Sequence, residues 1–464
     1  MLMPINKLLI ANRGEIAVRI IRAAQALGIP TVAACSEADV ASLPAQLADE
    51  YRIIGAARAD QSYLNPQALL QAARASGADA IHPGYGFLSE NAAFADAVSQ
   101  AGLIFVGPTA GVIRSTGDKA AARRTAQAAG VPVVPGSEQD ITTLDDALQA
   151  AERIGYPLLI KAAAGGGGRG IRVVETPEAL RAAFPLAQQE AKAAFGSGTV
   201  YLELFIEHAR HIEVQILGDG ERVVHLFDRE CSLQRRRQKI FEEAPSPALT
   251  DVQRQALCDS AVKLAQSLSY QGAGTLEYLF DSATGRFYFI EMNTRIQVEH
   301  PVTEMVTGVD LVQWMLRIAG GEKLTLRQEA IALNGSACEM RINAEDPARN
   351  FFPCPGTVTE VNWPRGEGVR VESHLFAGYC IPPYYDSLVA KLVVHGEDRA
   401  QALFRAAEAL ADLRITGITT TQSLHQWLLT DARLQAGDFT TTALERWLAE
   451  RTAADAAVRS GGMT

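Results

Sequence analysis

Between residues 291 and 299 every second position carries a polar side chain of distinct chemistry: Glu291, Asn293, Arg295, Gln297 and Glu299. Side chains alternate faces along a strand, so an extended segment would project all five to one side. Ile290, Met292, Ile296 and Val298 would project to the other. The preceding run, 275–280, centred on Glu277, is also strand-like, and residues 281–286, with Gly285, predict a hairpin turn. Folding the runs back around that turn brings Glu277 close to Glu291. Two carboxylates and an amide oxygen then converge beside an arginine and a third acid, an oxygen-ligand set for a divalent cation next to an anion site. The alternative is a solvated sheet face with ordinary cross-strand ion pairs. Glu, Asn and Gln are poor strand formers, and the five chemistries are not interchangeable, which favours the site.

A phosphate partner for such a cation is expected at a second stretch. Residues 156–161 read as an apolar strand ending in Lys161, followed by Ala162-Ala163-Ala164-Gly165-Gly166-Gly167-Gly168-Arg169-Gly170 and a β-rich run from Ile171 to Val174. Adjacent glycines let backbone N–H groups approach phosphate oxygens, and Lys161 and Arg169 add charge. No Gly-Lys-Ser/Thr closes the run and a strand follows it, so this is not a Walker A loop. A glycine-rich hairpin folding over a nucleotide is the reading; a plain flexible hairpin tip has the same composition.

The elements that must position these residues follow from periodicity. Residues 1–110 alternate strand and helix: 7–11 is a buried-strand pattern, 16–27 a helix stopped by Gly28, and 31–35 a strand. This predicts a doubly wound βαβ domain, and without Gly-x-Gly-x-x-Gly dinucleotide binding is disfavoured. Residues 134–204 form a small segment around the glycine hairpin, with helix starts at 143–148 and 176–180, expected to act as a mobile lid. Residues 205–446 carry a long mixed sheet, and the small, polar residues 453–464 read as a frayed end. No internal repeat is visible.

Both stretches resemble the ATP-grasp fold and, more narrowly, biotin carboxylase, the ATP-dependent subunit of biotin-dependent carboxylases. The likeness runs from Lys7 to about Trp447. It rests on Ile10-Ala11-Asn12-Arg13-Gly14-Glu15-Ile16-Ala17, on His82-Pro83-Gly84-Tyr85-Gly86-Phe87-Leu88-Ser89-Glu90-Asn91 and on Gly117-Asp118-Lys119. Residues 291–303 and Arg341-Ile342-Asn343-Ala344-Glu345-Asp346-Pro347 complete it. The resemblance implies an α/β and α+β chain: an N-terminal doubly wound domain (1–116), an ATP-grasp domain (117–320) with its lid, a C-terminal mixed-sheet domain (321–450) and a frayed tail (451–464).

The resemblance also assigns roles. Lys119, Lys161, Gly167 and Gly168 would bind the ATP phosphates. Glu203, Leu204, Phe205, Ile206 and Leu279 would lie along the adenine, and His211, Gln234 and Arg237 would contact the nucleotide. Glu277, Glu291 and Asn293 would hold Mg²⁺ or Mn²⁺, two ions being expected from bridging carboxylates and a triphosphate. Lys239, Arg295, Gln297 and the Val298 N–H would hold bicarbonate, with Glu299 as base. Tyr85 and Arg341 would face biotin, although a Pro/Gly-rich turn packing two domains explains residues 82–91 equally well. Three positions depart from the family pattern. Leu204 stands where lysine is usual, Arg237 replaces a histidine and so can have no acid–base duty, and Ala164 replaces a glycine.

The function implied is ATP- and bicarbonate-dependent carboxylation of biotin through carboxyphosphate, as the biotin carboxylase subunit of an acetyl-CoA or acyl-CoA carboxylase serving fatty acid biosynthesis. With no Met-Lys-Met biotin attachment motif in the 464 residues, the biotin is expected on a separate biotin carboxyl carrier protein, with carboxyltransferase subunits as further partners. A homodimer is a family expectation. Another ATP-grasp ligase acting on an amine or amide would share Lys161, Glu277 and Glu291, but Tyr85, Glu299 and Arg341 favour biotin. A non-catalytic nucleotide-binding relative would have lost a metal ligand or Glu299, and neither is lost. Composition agrees: a net charge of −10 disfavours nucleic acid, no apolar run reaches the ~18 residues of a membrane span, and six cysteines lack C-x-x-C spacing. Cys231 reads as a buried bystander. The chain start shows no charged leader, so a cytoplasmic location is expected.

Overall fold

The computed structural model describes residues 4–137, 139, 141–162, 172–195 and 198–461, without the side chains of 119, 120, 162, 194, 195 and 455–461. Gly167, Gly168 and Ala164 therefore lie outside the described residues.

The N-terminal strands Leu8–Ile10 (β1), Thr31–Ser36 (β2), Glu50–Gly55 (β3), Ala80–His82 (β4) and Ile104–Phe105 (β5) form one sheet in the order β3-β2-β1-β4-β5. Every pairing is parallel, and β1 is buried along its length, as a strand covered on both faces requires. The order reverses beside β1, the arrangement of a doubly wound fold. The helix Gly14–Ala26 follows β1 and stops before Gly28, whose φ of +70° is a left-handed conformation that glycine adopts without strain.

The chain divides into two compact units. One comprises residues 1–131, 210–278 and 291–464; the other comprises 132–209 and 279–290. The second unit contains Leu158–Ala162 (β6), Arg172–Val174 (β7) and Val200–Leu204 (β8), an antiparallel sheet in the order β7-β6-β8. Helices Leu144–Ile154 and Pro177–Phe195 bury Ala147, Ala151, Leu180 and Phe184 against Leu158, Ile160 and Leu202. Thr143 caps the first of them by accepting from the Asp146 N–H at 3.2 Å. The segment expected from sequence, 134–204, lacks 279–290, which returns from far along the chain and leaves no local signal.

The remaining strands begin with Ala209–Asp219 (β9), Val223–Arg235 (β10), Gln238–Ala244 (β11), Gln271–Asp281 (β12), Arg286–Asn293 (β13) and Ser336–Asn343 (β14). Short strands Glu345–Asp346 (β15), Phe352–Pro353 (β16) and Glu360–Asn362 (β17) precede Val369–Ser373 (β18), Leu388–Gly396 (β19) and Arg414–Thr416 (β20). Eight of them form one sheet, β13-β12-β9-β10-β11-β14-β19-β18, so the sheet continues across residue 320 without a break. Its C-terminal half packs on a core that includes Met340, Leu392, Leu428, Phe439 and Trp447.

Two expectations are corrected. The helix Ala443–Gly461 runs through most of the stretch read as a frayed tail, consistent with the helix propensity of its alanines. And β13 ends at Asn293, so residues 294–299 are not a strand. They lead into the helix His300–Thr307, with Glu299 at the N-cap and Pro301 in the first turn, a position that tolerates proline and fixes the turn out of the sheet.

Candidate active site

The residues expected on one strand face do converge in part, but by a bend rather than by alternation. Asn293 Nδ2 donates to Glu277 Oε1 at 2.8 Å, and Gln297 Nε2 donates to the same oxygen at 2.9 Å. Arg295 donates to Asn293 Oδ1 at 2.9 Å and, through Nε, to Glu90 Oε2 at 2.9 Å. Glu291, two residues before Asn293 on β13, shares its face.

From β11, the ammonium of Lys239 reaches into this group. It lies 2.6 Å from Glu213, 3.3 Å from Glu277 and 2.5 Å from Glu299. The second oxygen of Glu299 accepts from Arg341 at 3.0 Å, and Arg341 Nε donates to Glu242 at 2.6 Å. His211 Nε2 stands 3.1 Å from Glu277. Glu213, Glu242, Glu277, Asn293, Gln297 and Glu299 are buried; Lys239, His211, Arg341, Arg295 and Glu291 are partly exposed, and Glu90 is exposed.

Burial alone would raise the pKa of Glu299, but Lys239, Arg341 and Arg229 outweigh it and hold the carboxyl well below its ordinary range. Glu277 is likewise held low against its burial, by Lys239 and His211. Burial opposes the charge on Lys239, yet its three carboxylates raise its pKa well above that of a free lysine, and Glu277 raises His211 in the same way. At neutral pH Glu277 and Glu299 are thus ionised, beside fixed cations able to hold an anion. Among the described residues, His211, Glu213 and Glu277 bring possible metal-ligand atoms within 4.8 Å of one another.

Tyr85 donates its hydroxyl to Glu15, Glu15 lies 3.1 Å from Lys391, and Lys391 donates to the Val298 carbonyl at 2.8 Å. A chain of polar contacts therefore links the 82–91 turn to the bicarbonate candidates. That turn also packs tightly: Asn12 donates to the carbonyls of Pro83 and Tyr85, and a Cβ on Gly84 would meet Asn12 Nδ2 at 2.8 Å.

The remaining expected residues have contacts of their own. Arg237 and Arg236 form the two-residue turn between β10 and β11, with φ of +66° and +48°, and Arg237 is exposed at its apex. Gln234 turns back to donate to the Cys231 carbonyl at 2.8 Å. In the second unit, Lys161 is paired with Glu203. Leu204, Ile206 and Leu279 join an apolar cluster with Val134, Ala209 and Tyr288, and the Phe205 N–H donates to the Pro157 carbonyl at 2.8 Å. Lys119 begins the helix Lys119–Ala128, capped by Asp118, and its side chain is outside the described set.

Sequence reasoning missed Glu213, Arg229, Glu242 and Glu90. Glu213 was findable, because His211, Glu213 and Gln215 alternate along β9 with Ile212, Val214 and Ile216 as residues 291–293 do along β13. Arg229 carried no such signal.

The comparisons agree along the whole chain. The family model described as "Biotin carboxylase, N-terminal domain" matches residues 4–113. "Carbamoyl-phosphate synthase L chain, ATP binding domain" matches 118–327, and "Biotin carboxylase C-terminal domain" matches 339–446. The chain is 53% identical to a biotin carboxylase of Pseudomonas aeruginosa, over 96% of its own length and 99% of the relative's. It is similar to the bicarbonate-bound biotin carboxylase domain of a thermophilic 2-oxoglutarate carboxylase, at TM-score 0.91 and 46% identity, covering 96% of this chain and 98% of that one. A second similar structure is the dimer of the corresponding Hydrogenobacter thermophilus domain with MgADP, ADP and bicarbonate, at TM-score 0.86 and 48% identity, covering 96% and 98%. No helix among the described residues is long and apolar enough to cross a membrane. A parallel N-terminal sheet, a three-stranded unit, and Lys239, Glu299 and Arg341 joined in one buried cluster accord with these matches: the chain belongs to the biotin carboxylase family of ATP-dependent ligases.

Proposed function

We propose that the cluster around Lys239, Glu277 and Glu299 is where ATP activates bicarbonate for transfer to biotin. The observation that carries this reading is Glu299, an ionised carboxylate with one oxygen on Lys239 and the other on Arg341. In that position a proton acceptor stands between two cations, one suited to the incoming anion and one to the acceptor ring.

Glu299 takes the bicarbonate proton while Lys239, Arg295, the Gln297 amide and the Val298 N–H hold the anion. A bicarbonate oxygen attacks the γ-phosphorus of ATP, and ADP leaves. The carboxyphosphate so formed breaks into CO₂ and phosphate beside the ureido ring. The phosphate takes the ring N–H proton, the nitrogen attacks CO₂, and Arg295 and Arg341 stabilise the charge that develops on the ureido oxygen. Tyr85 faces the biotin.

Glu277, Glu291 and Asn293 are the residues we assign to Mg²⁺ or Mn²⁺. The donor set fits: Glu277 is ionised and gathers Lys239, His211, Asn293 and Gln297 around it, so a cation exchanging for one of these donors meets a ready carboxylate. Bound ions would neutralise charge on the triphosphate. Lys119, Lys161, Gly167 and Gly168 are assigned to the phosphates, and Glu203 to Ile206 with Leu279 to the adenine. His211, Gln234 and Arg237 are assigned to the rest of the nucleotide.

The division into 1–116, 117–320 and 321–450 is proposed with the limits of the three family matches in support. The dimer of the Hydrogenobacter relative supports a homodimer. A separate biotin carrier, a carboxyltransferase partner in an acetyl-CoA or acyl-CoA carboxylase, and a cytoplasmic location are proposed on the family resemblance.

ATP cleavage measured against bicarbonate, with and without free biotin, tests the reading. Cleavage that needs bicarbonate and rises with biotin supports it. Bicarbonate-dependent cleavage that answers only to another amine or amide would favour a different ATP-grasp ligase, and no cleavage a non-catalytic relative.

A further inference from the structure

Arg229 is fully buried, and every one of its five N–H donors is used. Its Nε donates to Glu213 Oε1 at 2.5 Å. One terminal nitrogen donates to Gln215 Oε1 at 2.7 Å and Thr303 Oγ1 at 2.9 Å; the other donates to Thr275 Oγ1 at 3.1 Å and Gln297 Oε1 at 2.7 Å. Burying a guanidinium is costly unless it is paired and fully bonded, and among the described residues this one forms an ion pair with Glu213 alone.

The backbone is distorted to bring it there. Between β9 and β10 the register runs His225 to Ile216, then slips so that Asp228 faces Val214 and Arg229 faces Glu213. Phe227, inside the slip, has φ of +62°, a conformation rare for an aromatic residue. Without the extra residue of this bulge, Asp228 and not Arg229 would oppose Glu213.

Arg229 bonds directly to one residue proposed to hold the anion, Gln297, and through Glu213 to another, Lys239. Through Glu213 it reaches Lys239, which lies 2.6 Å from the other Glu213 oxygen. Through Gln297 it fixes the amide: because Oε1 accepts from Arg229, Nε2 must point to the opposite side, where it donates to Glu277.

We infer that Arg229 is the positioning residue of the bicarbonate subsite, setting the donor face of Gln297 and the location of the Lys239 ammonium without touching substrate. The inference rests on the bicarbonate role proposed for Lys239 and Gln297. A purely structural buried arginine would lower stability when replaced and leave the balance of Michaelis constants alone.

The test is steady-state ATP cleavage by Arg229→Lys and Thr275→Val, titrated separately in bicarbonate and in MgATP, with Tm measured alongside. Thr275→Val removes one acceptor of the clamp, and Thr275 makes no hydrogen bond to Lys239, Gln297 or Glu299. For Arg229→Lys the bicarbonate KM is expected to rise about ten- to a hundredfold, and for Thr275→Val about two- to tenfold, with the ATP KM within about twofold in both. A bicarbonate KM that does not move, or that moves in step with the ATP KM, overturns the inference. If Arg229→Lys does not fold, Thr275→Val decides by the same criterion. Wild-type protein that cleaves ATP without regard to bicarbonate overturns the proposed function and the inference with it; bicarbonate-dependent wild type with unmoved variants overturns the inference alone.

Discussion

Two lysines of this chain meet glutamates in different ways. Lys239 lies among Glu213, Glu277 and Glu299, and those acids are themselves held by Arg229, Arg341, His211 and two amides. Lys161, in the second unit, is paired with Glu203 and is about a third exposed, 33%. A charge inside a satisfied network is fixed in place, and removing it leaves several buried partners uncompensated. A partly solvated ion pair is cheaper to exchange for another anion. The first arrangement suits chemistry, which needs groups that do not move. The second suits a ligand that arrives and leaves.

The sharpest way to break the contrast is to neutralise each lysine. Lys239→Gln is expected to lower turnover by about 10²–10³, as loss of a transition-state donor does, with a smaller change in the ATP KM. For Lys161→Gln the expected change is mainly in binding, an ATP KM about tenfold higher with turnover less affected. Equal effects on turnover from both substitutions would erase the distinction.

Acid should separate the two units as well. Burial is the largest cause holding His82 and His374 down to a pKa of about 3 and His225 and His425 to about 4. All four lie in the unit formed by residues 1–131, 210–278 and 291–464, whereas the other unit holds only His208. Each buried ring stays neutral when folded but takes up a proton when unfolded below its ordinary pKa of about 6.5, so folding stability falls as pH falls from there toward 4. Each contributes about 1.4 kcal/mol per pH unit over that window. Hydrogen exchange is expected to show the larger unit losing protection first on acidification, and His425→Gln, which removes the ring bonded to the Arg341 carbonyl at 2.8 Å, to flatten the slope. The smallest effect is expected at the exposed turn. Arg237→His should change stability by no more than about 0.5 kcal/mol, read as Tm, and turnover by less than about twofold.

How much of this was legible in sequence depended on whether the signal was local. The alternation through Glu291 and Asn293 and the turn at residues 281–286 predicted a hairpin beside Glu277, and β12 and β13 end and begin at those residues. The same alternation was carried too far. Pro301 and the helix it opens turn Gln297 and Glu299 out of the strand, and their contacts with Glu277 and Lys239 arise from that bend. Arg229 was hidden by a bulge at Phe227, since a one-residue slip reverses which face a side chain takes and leaves the composition unchanged. Residues 279–290 join the second unit across some seventy positions of chain, a distance no local periodicity spans.

Heavy oxygen followed from labelled bicarbonate through a single turnover with free biotin shows whether the Lys239–Glu299–Arg341 cluster serves attack of bicarbonate on ATP ahead of transfer to biotin. One labelled oxygen is expected in the released phosphate, with carboxybiotin formed alongside ADP. Phosphate that takes its new oxygen from water alone would contradict that role.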